Sequence, residues 1–117
     1  MTAAARLLVF LAGIAGAAGV ALSAAAAHIG GAGLDIAASF LIVHAAALLG
    51  IAALVPAAGR LALAGGVVMA AGLTLFCGDL ASRAFLDDRL FAMAAPAGGS
   101  LLIAGWLLVA VSALRRR

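Results

Sequence analysis

The chain has 117 residues, 68% of them hydrophobic and only 9% charged, with a mean hydropathy of +1.35. Soluble domains carry about 45–50% apolar and about 25% charged residues, so an ordinary soluble fold is excluded. The net charge of +3 rests on seven arginines and no lysine, standing at the ends of apolar runs rather than along one basic face; this marks topology and argues against a nucleic-acid partner.

At about 20 residues per span, the length accommodates about four crossings with short loops and no second domain. The expected fold is therefore an all-α membrane protein: a bundle of four transmembrane helices forming a single domain over 1–117, with spans at about 7–27, 36–55, 61–82 and 96–114. The first run follows Arg6. Together with "ALSAAAA" it has some features of a cleavable signal peptide, but it is longer than the usual apolar region of about 7–15 residues, and three more spans follow. A retained helix is the expectation. The link "HIGGAGLD", His28 to Asp35, is glycine-rich and reads as a tight turn, with Asp35 as N-cap of the second helix. Pro56 and Gly59 are expected to end that helix, and Arg60 opens the third. The third apolar run fades near Gly78, where Asp79 and Arg83 stand four apart on one helical face, close enough to pair. After "LDDRL", Pro96 falls in the first turn of the fourth helix, where its missing amide hydrogen costs little. That helix runs toward Arg115, Arg116 and Arg117.

Arginine stays on the side of synthesis. Arg6, Arg60 and the three terminal arginines share one side, while Arg83 and Arg89 on the other are offset by Asp35, Asp79, Asp87 and Asp88. The expected topology is N-in and C-in, multi-pass, in the cell inner (plasma) membrane, with the lipid bilayer as the first partner.

Burial from water cannot drive apolar helices together in lipid, but close backbone approach can. Gly13, Gly16 and Gly19 thin the first helix; Gly65, Gly66 and Gly72 the third; Gly98, Gly99 and Gly105 the fourth. Trp106, deep in the fourth span, is expected to pack against small residues of a neighbouring helix. Cys77, the single cysteine, excludes an intrachain disulfide and a cysteine-based metal cluster, and reads as a small buried residue.

Two histidines carry the most chemistry. His44 lies near the middle of the second span, where an imidazole is either a site or a hydrogen-bonded structural element. His28 stands at the outer end of the first, at a different depth, which argues against both ligating one haem or metal ion. His28, Asp79 and Arg83 form a possible cluster at the outer mouth of the bundle. Nothing resembles a hydrolase triad, a phosphate loop or paired catalytic carboxylates. No cofactor is expected, and no enzymatic activity.

Four segments, in order, carry a resemblance. "GVALSAAAAH" (Gly19 to His28) resembles G-V-A-L-G-A-F-G-A-H, and "HAAALL" (His44 to Leu49) resembles H-A-L-A-L-L. "LTLFCG" (Leu73 to Gly78) is similar to L-F-S-G, and "APAGGSLLIAGW" (Ala95 to Trp106) to T-P-I-G-G followed by G-W. These patterns belong to the YgdD/YwdK-type family of small four-helix integral membrane proteins of unknown function. The resemblance implies the four-helix fold, singles out His28, His44, Pro96, Gly98, Gly99 and Trp106, and implies no activity. A Tyr-Gln pair commonly precedes the second histidine of that family; here Phe40 and Leu41 stand there.

Three functions follow as expectations. The first is a non-catalytic membrane component, either a homo-oligomer or a subunit of a larger complex. The second is a channel or carrier for protons, ions or a small solute with His44 on the path. A haem-binding anchor is the third, disfavoured by the unequal depths of the histidines.

Overall fold

A computed structural model describes residues 1–115; Arg116 and Arg117, counted above among the terminal arginines, lie outside the described residues. Four helices follow one another: α1 (Ala3–Ile29), α2 (Ala32–Ala58), α3 (Arg60–Leu86) and α4 (Ala94–Ser112). At 1.5 Å per residue the first three are about 40 Å long and the fourth about 28 Å. All four are long and apolar enough to cross a membrane.

Glycine sets the two tight reversals. Between α1 and α2 the chain turns on Gly30 and Gly31 alone, at φ 83° and 100°, a region that side chains with a Cβ avoid. The link is thus shorter than the sequence suggested. Asp35 is not the N-cap: Gly31 is, and Asp35 sits in the first turn of α2, where its charge still favours the positive end of the helix. Gly59, at φ 82°, closes α2 by donating to the Val55 carbonyl (2.8 Å) and also opens α3. Pro56 does not end α2. It removes only the amide that the Ala52 carbonyl would accept, and the last turn continues to Ala58. Pro96 lies in the first turn of α4, two residues after Ala94.

The helices pack in chain order, α1 on α2, α2 on α3 and α3 on α4, with α1 and α3 touching only lightly. Leu8, Leu34, Leu48 and Met69 are fully buried. Between α3 and α4 the backbones meet at two glycine pairs. A Cβ on Gly72 would lie 2.7 Å from the Gly98 carbonyl oxygen, and one on Gly98 would lie 2.5 Å from the Phe76 nitrogen. Seven residues along each helix, a Cβ on Gly65 or Gly105 would come within 2.9 Å of the other's carbonyl oxygen. On the α1–α2 side Gly19 has the same role, under Ile42, Leu41 and Ala38. Gly16 is in ordinary contact, 3.6 Å from the Ala45 Cβ. Gly13 and Gly99 are not packing glycines: nothing lies within 4 Å of a Cβ at Gly13, and at Gly99 the nearest atom is 3.9 Å away, on the Phe76 ring. Their places on the helical wheel face outward.

The outside is as apolar as the inside. Phe10, Val43, Ile103 and Leu107, each near the middle of its helix or facing out along it, are more than half exposed. Helices apolar on every side have no stable position in water, and with lipid as the solvent this surface is the expected one.

Candidate functional site

The mid-bundle site is built around His44. Helical spacing from Ala45 and Leu48 turns it inward, and only 6% of it is exposed. Its Nδ1 lies 2.8 Å from the Phe40 carbonyl oxygen, one turn earlier. Its Nε2 is met by the indole Nε1 of Trp106 at 3.1 Å. An indole N–H only donates, so Nε2 must accept. The ring proton therefore sits on Nδ1 and is donated to Phe40, which makes His44 a neutral imidazole with both nitrogens engaged. Neither nitrogen is open to a metal or haem iron unless Trp106 moves.

Rings extend the site. Phe40 stacks on His44 with centroids 5.6 Å apart and planes 20° apart, and Phe76 of α3 lies 4.7 Å from Phe40. Trp106 meets His44 edge-on at 5.8 Å and 62°. Four rings thus connect α3, α2 and α4 across the bundle. Trp106 does not simply fill space beside small residues, as the sequence suggested. It bridges α2 and α4, whose backbones barely approach each other, while 44% of its surface stays exposed. The two residues share a depth that the sequence did not show, because it began these helices at about 36 and 96. The two helices run in the same direction, and each residue stands twelve positions after its helix's first residue, Ala32 and Ala94.

A second polar site lies at the end of the bundle that carries the α3–α4 link. Asp79 is fully buried. Its Oδ1 accepts from the Leu90 amide at 2.8 Å, and Arg83 Nη2 lies 2.8 Å from Oδ2. That second contact is short but poorly directed, so Oδ2 has charge compensation without an aligned hydrogen bond. The Arg83 side chain is 45% exposed. His28 does not complete this cluster: it is exposed near the end of α1, and the loop amide of Leu90 occupies the place beside the carboxylate. Sequence reasoning missed Leu90 because a backbone donor leaves no residue-type signal.

An open groove of about 280 Å³ runs between α1 and α3 over α2, lined by Leu11, Ile14 and Leu22, by Leu41 and Leu48, and by Leu73. Its polar atoms are turned to the backbone: Thr74 donates to the Ala70 carbonyl (2.9 Å) and Cys77 to that of Ala37 (3.5 Å). His44 is not among the lining residues. Among the described residues no three His, Cys, Asp or Glu side chains converge as a metal site.

Four membrane-crossing helices with short links, glycine-mediated contacts and a histidine held at mid-bundle define a small multi-pass membrane protein. Residues 15–99 match the family model described as "Protein of unknown function (DUF423)", and the chain belongs to that family. The matched stretch includes His28, His44, Asp79, Gly98 and Gly99, and stops short of Trp106. No curated protein and no solved structure matches the chain.

Proposed function

We propose that the chain is a non-catalytic component of the cell inner (plasma) membrane, acting as a homo-oligomer or as a subunit of a larger membrane complex. The observation that carries this reading is the internal engagement of its reactive side chains. His44 is held by Phe40 and Trp106, Asp79 by Leu90 and Arg83, and Cys77 by Ala37. None of these groups is turned toward the groove as an unpartnered acid, base or ligand. The arginines supply the orientation: Arg6, Arg60 and Arg115 stand at the end of the bundle opposite the α3–α4 link, which favours N-in and C-in.

Native mass spectrometry after mild detergent extraction tests the assembly. A defined oligomer or a reproducible second subunit is the expected result, and a strictly monomeric species would remove this reading. Proton-driven flux in liposomes that disappears in His44→Ala would replace it with a conduction role.

A further inference from the structure

The α3–α4 link is unusual for a connection between membrane helices, being both folded and apolar. Residues 87–93 do not arch away from the end of α3. They turn back along it, so that the Leu90 amide reaches Asp79 and the Leu90 side chain rests near Gly78. Asp79 lies seven residues before the end of α3, about 10 Å down the helix axis. The link thus occupies the space beside the last two turns of α3 that a longer α4 would have filled. Ser82 donates to the Asp88 carbonyl (2.7 Å), and the Asp88 side chain accepts from the Arg89 amide (2.9 Å).

The surface of this link sets two conflicting demands. Phe85, Leu86, Leu90, Phe91 and Met93 are all at least half exposed, with Leu86 at 74% and Met93 at 66%. Phe85 and Leu86 belong to α3 and Met93 caps α4, so these side chains adjoin two spans, and water is a poor solvent for them. The backbone, however, is irregular. The amides of Phe91 and Ala92 find no acceptor among the described residues, and exposed amides of this kind do not occur within the hydrocarbon region. Asp87, Asp88 and Arg89, all exposed, also reject hydrocarbon. One layer satisfies both demands: the headgroup region, where apolar side chains reach acyl chains while amides and charges keep polar partners.

We propose that residues 85–93 form an interfacial anchor, seated on the headgroup layer of one leaflet and held in that shape by Asp79. The lipid surface is the partner. The buried carboxylate is the internal peg that keeps the link folded back, and the ion pair to Arg83 supplies its charge balance. The chain has one tryptophan, so depth can be read from fluorescence.

The Trp106→Phe, Phe91→Trp double variant is reconstituted in phosphatidylcholine vesicles containing lipids brominated at shallow or deep acyl positions. Its sole indole, the one introduced in the link, is expected to emit to the blue of its position in water. Shallow bromines should quench it more than deep ones, and aqueous acrylamide only weakly. Adding Asp79→Leu should move emission to the red and raise acrylamide quenching. Water-like emission before that change would overturn the anchor, as would stronger quenching by the deep bromines. An unchanged signal in the Asp79→Leu variant would overturn the role of the carboxylate. Wild-type Trp106 separates the premises: if deep bromines quench it, the span is in place and the result for the link stands by itself. If the double variant does not fold, Phe91→Cys in a Cys77→Ala background, labelled with a polarity-sensitive dye, reads the same depth with Trp106 retained.

Discussion

At the scale of single residues, the protein commits its polar side chains in pairs. His44 and Trp106 form the clearest pair, because each supplies what the other lacks: an acceptor nitrogen and a donor-only N–H. Interhelical hydrogen bonds in membranes contribute about 0.6 kcal/mol on average and up to about 1.7 kcal/mol. A double-mutant cycle of His44→Phe and Trp106→Phe should therefore return a coupling within that range, measured by unfolding in mixed detergent micelles. Additivity of the two single changes within about 0.3 kcal/mol would mean that the bond does not form. Asp79 is the other committed residue. Arg83→Leu leaves the fully buried carboxylate without its charge balance and should destabilise more than Asp79→Asn, which removes the charge but keeps an oxygen to accept from the Leu90 amide. Equal stability of wild type and Arg83→Leu in the same unfolding assay would show that the guanidinium does not balance the carboxylate.

At the scale of elements, α3 and α4 are held by contact of backbones, and the glycines divide into those that are used and those that are not. A methyl group on Gly98 meets the backbone of α3, which cannot swing aside as a side chain can. Gly98→Ala should cost about 1–3 kcal/mol through forced separation of the two helices. Gly13→Ala meets nothing and should be neutral, or stabilising by up to about 1 kcal/mol through helix propensity. Thermal unfolding of both variants in the same detergent compares them directly, and equal destabilisation would contradict the packing described. The sequence marked both as packing glycines because a stripe of small residues shows where a helix is thin, but not which side meets a neighbour. Pro56 carries a similar lesson. A proline in the last turn loses one hydrogen bond, and the glycine that can adopt positive φ, three residues later, decides where the helix stops.

At the scale of the whole molecule, the bundle is polar at its ends and differs between them. One end holds Asp35, Asp79, Asp87 and Asp88 with Arg83 and Arg89; the other holds Arg6, Arg60 and Arg115. Under the proposed N-in, C-in orientation, a C-terminal reporter that works only in the cytoplasm should be active, and one that works only outside should be silent. The opposite pattern would invert the bundle.

The number of helices, their membrane setting and the Asp79–Arg83 spacing were legible because each depends on local chemistry: runs of apolar residues, helix-breaking glycines, and side chains four apart on one turn. His44 and Trp106 were visible one by one as unusual residues within spans. Their partnership was not visible, because it depends on α2 and α4 being brought within side-chain reach by α3, which packs against both. The distinction between Gly98 and Gly13, the Leu90 amide at Asp79, and the separation of His28 from that carboxylate have the same origin. Sequence by itself determined what crosses the membrane and where it turns, since solvation and backbone freedom act residue by residue. Tertiary structure alone decided which small residues touch and which polar groups meet, since in lipid those choices depend on the rotation of each helix about its axis, and apolar helices alike on every side carry no pattern that sets it.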